Sequence, residues 1–259
     1  MEKLDEDYLF EKFRMECYHL FRKGNYSLVK EKIENFLEKY PLENISEDNY
    51  FYFNNKFEEN YFFIFFIHSK YANFSQKGNV LKNHKILKYD YPFIFATYGE
   101  TLMKFDEFSK AKYFLELANK SNPFDIGILL RLVKIYCIEL NKEKIEEIFN
   151  YALDVVYDEY YLFYIYEFLA EYYSKINQIE ISELLSKIAE EESFNVADKD
   201  YIKNLFNKYN LNLGFNEELI SQMEHIVNVL DQKGDFTESY LLYQDCSDLK
   251  MFNRKFKYF

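Results

Sequence analysis

The sequence predicts an all-α protein built as an array of helix pairs, and three observations carry that prediction. Glycine and proline are scarce, with 6 and 3 in 259 residues. That is too few to punctuate many short strands or to build glycine-rich ligand loops, whereas helix pairs joined by tight turns need little of either. Hydrophobic residues reach 49% and charged residues 29%, a balance that supports a buried core without the composition of a disordered or membrane chain. A pattern of large and small residues then returns along the chain at a spacing near 34 residues, the length of a helix–turn–helix unit.

The pattern is fullest between Tyr91 and Asp125, with Phe95, Tyr98, Gly99 and Leu102, then Ala111, Leu115 and Ala118, then Pro123. Gly99 and Ala111 stand where two helices would cross closely, Ala118 would let the following unit approach, and Pro123 cannot continue a helix. One period forward, Leu129, Leu132, Val133, Tyr136, Ile145, Phe149 and Ala152 take the same positions. A further period, shifted by about three residues, brings Tyr166, Leu169, Ala170, Tyr173, Ser182 and Ala189 into place. Near the N-terminus Phe13, Cys17, Leu20, Gly24, Tyr26, Val29, Ile33 and Pro41 follow the same order, with Cys17 in the small slot. Met223, Val227, Leu230, Gly234, Ser239 and Cys246 follow it more weakly.

This arrangement resembles the tetratricopeptide repeat, well over residues 10–41 and 92–196 and weakly over 220–252. The resemblance implies a right-handed α-α superhelical solenoid with a divergent second repeat and a divergent C-terminal repeat. A single domain over 1–259 is expected, with repeats at about 10–43, 44–91 (degenerate), 92–125, 126–159, 163–196 and 198–253 (divergent). Within the degenerate stretch, Phe57–Phe74 is apolar around most of its circumference and predicts a buried helix, with an edge strand as the alternative. Gly78–Tyr91 reads as a turn and a short helix.

In the family the first helix of each pair lines a concave groove that holds extended or helical peptides. Carried onto this sequence, the groove positions are Arg14, Tyr18, Phe21, Phe93, Ala96, Glu100, Met103, Leu130, Lys134, Cys137, Tyr164, Glu167 and Glu171. The function implied is a protein- or peptide-binding adaptor or regulatory scaffold. Its partner would be an apolar or basic segment, anchored by Phe93, Met103 and Tyr164, with Glu100, Glu167 and Glu171 as counter-charges. Glu100 occupies a position where carboxylate-clamping members need Asn, so capture of a chain's terminal carboxylate is not expected.

A formal net charge of −12 disfavours nucleic acids and anionic membranes as general partners. The longest apolar run, Tyr61–Ile67, is far shorter than the roughly 20 residues a membrane helix needs. The acidic N-terminus does not read as a secretory signal, and a cytoplasmic location is expected. No phosphate-binding, zinc-protease or nucleophile-elbow motif occurs. His19, His68, His84 and His225 are isolated, and Cys17, Cys137 and Cys246 have no metal-ligand spacing. No catalytic activity, cofactor or metal is therefore expected, and Cys17 and Cys246 read as small hydrophobes at helix crossings.

The tail interleaves Lys250, Arg254, Lys255 and Lys257 with Phe and Tyr. This composition can stack on bases and contact phosphates. It supplies the alternative function, a subunit or inhibitor of a nucleic-acid-processing assembly. The plainer reading is a capping helix that packs its aromatics, and deletion of Met251–Phe259 is expected to leave the fold intact.

Overall fold

A small or apolar residue at a helix crossing, followed seven residues later by a left-handed turn, is the local rule behind most of this fold. The protein, in a computed structural model, is described over residues 6–40, 50–53, 59, 62–63, 66, 80, 82–156, 159–189, 199–209, 211, 214–215, 217–234 and 236–257. The chain divides into two compact units, one of residues 1–58 and 70–141, the other of 59–69 and 142–259. In the first, α1 (Glu6–Arg22) packs on α2 (Tyr26–Lys39), α3 (Tyr91–Met103) packs on α4 (Phe108–Ser121), and α5 (Ile126–Ile138) follows. The second holds α6 (Lys142–Val155), α7 (Glu159–Lys175), α8 (Ile179–Ala189), α9 (Lys199–Lys208), α10 (Glu217–Lys233) and α11 (Phe236–Lys257). Here α7 packs on α8, and α10 on α11. With eleven helices and one short strand pair among the described residues, the fold is all-α.

Four hairpins share one geometry. Their crossing pairs, Cys17/Val29, Gly99/Ala111, Ala170/Ser182 and Val227/Ser239, are all buried and all twelve residues apart (29 − 17, 111 − 99, 182 − 170, 239 − 227). Seven residues after the first member of each pair, the backbone turns left-handed, at Gly24, Asp106, Asn177 and Gly234. At Gly24, Asp106 and Asn177 the turn closes with a pair of bonds that caps the last helical carbonyls. The Asp106 N–H donates to Met103 O at 3.3 Å and Glu107 to Leu102 O at 3.1 Å. Gly24 and Asn25 repeat this at 2.9 and 3.0 Å, Asn177 and Gln178 at 3.0 and 2.8 Å. Leu140, after α5, turns the same way with φ 55°. Where the second crossing residue is a serine, its hydroxyl donates to the carbonyl of its partner, Ser182 to Ala170 at 2.8 Å and Ser239 to Val227 at 3.4 Å.

The α3–α4 crossing is close at the glycine that marks it. A Cβ placed on Gly99 would lie 2.7 Å from Leu115 Cγ and 3.1 Å from Ala111 O. The neighbouring Tyr98 is fully buried as a ring, edge-on to Phe114 at 4.7 Å. Its hydroxyl donates to Glu34 at 2.6 Å and accepts from Lys110 at 2.7 Å, joining α3 and α4 to α2. Asp90 and Asp125 cap α3 and α5, accepting from the N–H of Phe93 and of Ile128, each at 3.0 Å.

The stretch before α3 departs from the expected turn and short helix. Val80, Lys82 and Asn83 are helical, but a strand β2 (Lys85–Ile86) follows and pairs in parallel with β1 (Tyr50–Phe51). The cause is that neighbouring backbone completes the ladder: Leu87 N donates to Phe51 O at 2.7 Å, and Tyr52 N to Ser121 O at the end of α4 at 2.9 Å. Of Phe57–Phe74, only Glu59, Phe62, Phe63 and Phe66 are described, all helical. The rest of that expected helix lies outside the described residues.

The tail is not an appendage. It forms the last turns of α11, and Asn253 is buried there with its amide gripping one residue of the loop before α10. Its Oδ1 accepts from Phe215 N at 2.7 Å and its Nδ2 donates to Phe215 O at 2.8 Å. Beside it, Gly214 N donates to Tyr166 Oη at 2.9 Å, so the loop is held from α7 as well. Deletion of Met251–Phe259 would remove this clamp along with the tail. Cys17 and Cys246 are buried as expected, and burial pushes the Cys17 thiol up to about 11, which keeps it protonated and inert. No helix among the described residues is long and apolar enough to cross a membrane.

Candidate binding surfaces

In the first unit α3 packs against α1, α2, α4 and α5, so few of its side chains reach solvent. Two of the expected groove residues are buried, Ala96 on α3 and Leu130 on α5. Ala96 is 5% exposed and Leu130 1%, and both belong to the core. The residues that remain at the surface converge from α1 and α3. The Arg14 guanidinium lies 5.1 Å from the centroid of Phe93, and the Tyr18 ring 6.3 Å from it. Glu11 accepts from Arg14 at 2.8 and 2.7 Å, and Asp90 lies 3.7 Å away. Arg14 and Phe93 are half-buried and Tyr18 is 41% exposed.

Next along this face, Arg131 Nε donates to Glu100 at 2.6 Å, so that carboxylate is committed within the unit. Gly127 leaves room for the guanidinium: a Cβ there would lie 2.9 Å from Arg131 Nη1. Met103 and Cys137 are half-buried and Lys134 is exposed. Phe21 turns away to meet Tyr26 edge-on at 5.3 Å, where it packs the turn between α1 and α2.

Asp90 carries the strongest electrostatic signature on this face. Burial, first, and then Asp125 and Glu11 push its carboxyl up to about 6, against the opposing pull of the Phe93 N–H and Arg14. A carboxyl with a higher pKa folded than unfolded holds its proton more tightly in the folded chain. Its contribution to stability is therefore largest below its unfolded value of 3.8 and falls as pH rises through about 6. Asp90→Asn should keep the cap, since Asn serves as well as Asp there, and abolish this dependence. Urea midpoints from about pH 4 to about pH 7 should show the variant gaining on the parent chain across that window. A difference that stays constant with pH would mean that Asp90 titrates alike in both states.

The expected residues of the second unit form a separate surface on α7. Tyr164 stands between Tyr160, at 6.1 Å, and Phe168, at 5.0 Å. Glu167 is exposed, and Glu171 pairs with Lys175 one turn on at 2.7 Å, a solvated contact of little energy. Of the tail cations, Lys250 pairs with Glu224 on α10. The side chains of Arg254, Lys255 and Lys257 lie outside the described ones.

Two concavities were not anticipated from the residue pattern. One, of about 460 Å³, lies in the first unit among Phe13, Phe36, Tyr40, Tyr89 and Tyr91. Its rings already stack, Phe13 on Phe36 at 4.5 Å and Phe10 on Tyr89 at 4.6 Å. The other lies in the second unit, over Phe149, Leu169 and Tyr173, which are buried. Neither has a motif, because each is lined by residues from helices distant in sequence. No group of three or more His, Cys, Asp or Glu placed to hold a metal ion occurs among the described residues. No protein-family model and no curated protein matches this chain.

Proposed function

We propose that this chain is a tetratricopeptide-like α-α solenoid that acts in the cytoplasm as an adaptor, holding a peptide segment of another protein against the first helices of its pairs. The observation that carries the reading is the meeting of Arg14, Tyr18 and Phe93. Side chains from α1 and α3, assigned to the groove by resemblance, form one half-exposed aromatic patch around a guanidinium. Aromatic and Arg residues are the types that anchor protein interfaces. The common hairpin geometry, repeated at Gly24, Asp106, Asn177 and Gly234, supports the repeat assignment. Three free cysteines, two of them buried, suit a reducing compartment.

Because Glu100 is taken by Arg131, the anchoring on the first unit is apolar. Co-purification from the native cell identifies the partner, and calorimetry then compares variants. Tyr18→Ala and Phe93→Ala should each cost about 2 kcal/mol of binding, roughly thirtyfold in affinity. Tyr18 is exposed, so its loss leaves the fold intact even if Phe93→Ala loosens α3. Ser109→Lys, on the exposed side of α4, is the control. Parental affinity in the Tyr18→Ala, Phe93→Ala double variant would remove this surface as the binding site.

A further inference from the structure

The aromatic concavity of the first unit, of about 460 Å³, falls within the size range of small-molecule sites. Helix periodicity builds it. Leu9 and Phe13 stand one turn apart on α1, and Phe36 one turn before Tyr40 at the end of α2, so two apolar stripes meet along a furrow. Tyr89 and Tyr91, just before and at the start of α3, complete the lining. These side chains are not sealed from solvent. Leu9 and Tyr40 are each 46% exposed, and Phe13, Phe36, Tyr89 and Tyr91 are half-buried. Phe13 stacks on Phe36 and Phe10 on Tyr89, so the facing ring surfaces are already used. What stays open is ring edges and the Leu9 side chain, which suit a flexible aliphatic chain better than a further ring.

The rim of the furrow carries donors, and no carboxylate lines it. Lys32, Asn35 and Lys39 follow one stripe of α2, at spacings of three and four residues. Lys32 is committed to Glu16 at 2.9 Å. Lys39 is not: it meets the ring of Tyr40, 5.2 Å from the centroid, and pairs with no carboxylate among the described residues. The Asn35 amide and the Tyr91 hydroxyl bond no described group. Burial, and then Tyr89 and Tyr40, push the Tyr91 phenol up, which keeps it protonated and able to donate. One unopposed ammonium beside neutral donors, over an apolar furrow, is complementary to a ligand with a single negative charge and an aliphatic body.

We propose that this furrow binds a linear aliphatic monocarboxylate, with the chain laid along Leu9, Phe13, Phe36 and Tyr40 and the carboxylate held by Lys39 and Asn35, one turn apart on α2. None of these residues belongs to the peptide surface, and the site is independent of it. The full-length protein is titrated by calorimetry with decanoate, with decylammonium as the cationic counterpart and with acetate as the head without the chain. Saturable one-to-one binding of decanoate is expected, at least tenfold tighter than that of decylammonium, with no measurable binding of acetate. Lys39→Gln should weaken decanoate about tenfold and remove the preference over decylammonium, since it takes away a charge-assisted contact at an exposed position that the fold does not need. Leu9→Trp, which fills the furrow from an exposed position, should abolish binding with an unchanged circular dichroism spectrum. Absence of saturable decanoate binding, equal affinity for decanoate and decylammonium, or parental affinity in either variant would each overturn the assignment.

Discussion

Replacing Gly99 by leucine is expected to destabilise the first unit by about 3 kcal/mol, the upper end of what overpacking a core costs. Two effects compete. A glycine inside a helix costs about 1 kcal/mol relative to alanine, so any side chain at position 99 recovers some backbone entropy. Against that, a Cβ would sit 2.7 Å from Leu115 Cγ, in a fully buried side chain, and 3.1 Å from the Ala111 carbonyl. The backbone oxygen cannot retreat unless α4 moves. Alanine should therefore come out near neutral or slightly worse, and leucine, whose branches have nowhere to go, clearly worse. Chemical denaturation measures both. Adding Leu115→Ala should restore part of the loss, a coupling that contact across the crossing requires and a helix-propensity effect does not. Equal stability of Gly99→Leu and the parent would show that α3 and α4 are not this close.

The second large effect is expected at Asn253. Its amide satisfies both the N–H and the C=O of Phe215, at 2.7 and 2.8 Å, in a buried setting. Leucine, of similar size, leaves both backbone groups without partners, at about 1–3 kcal/mol each. A loss of about 4 kcal/mol is expected, with the Phe215 amide losing its protection from hydrogen exchange. Aspartate separates the two bonds. It keeps an acceptor for Phe215 N but turns a second oxygen on Phe215 O and buries a charge, so its cost should ease on acidification as the carboxyl protonates. If Asn253→Leu leaves both the denaturation midpoint and the Phe215 amide unchanged, the clamp does not operate. The same bonds make truncation at Met251 costly, because the cut removes Asn253 with the tail.

Helix pairing was legible in the sequence wherever a small residue had to meet a small residue. Gly99 and Ala111, Cys17 in its small slot, and Ser182 opposite Ala170 each announced a close crossing, since few residue types fit one. The surface was less legible. Ala96 has the register of a groove residue, but α3 is enclosed by four neighbouring helices, and register says which way a side chain points without saying what already stands there; Leu130, on α5, is buried too. Glu100 likewise reads as a free counter-charge until Arg131 is seen beside it. Asn253 carried no signal, because its partner is backbone 38 residues away, and backbone has no letter. The parallel pairing of Tyr50–Phe51 with Lys85–Ile86 was hidden for a related reason: two-residue strands are too short to show alternation.

The left-handed turns bear on how such a chain can drift. Glycine occupies that position at 24 and 234, but Asp106, Leu140 and Asn177 adopt the same conformation, and Leu140 is 88% exposed with nothing holding its side chain. A non-glycine residue there costs roughly 1–2 kcal/mol, an amount that neighbouring buried residues readily offset. The turn is enforced by the two carbonyls it caps and by the helices it joins, and any residue that tolerates the strain is admitted. Mutation can thus erase the letter that marks a repeat while the backbone keeps its shape. Four helix pairs of this protein keep one turn with three residue types, Gly, Asp and Asn, at its left-handed position.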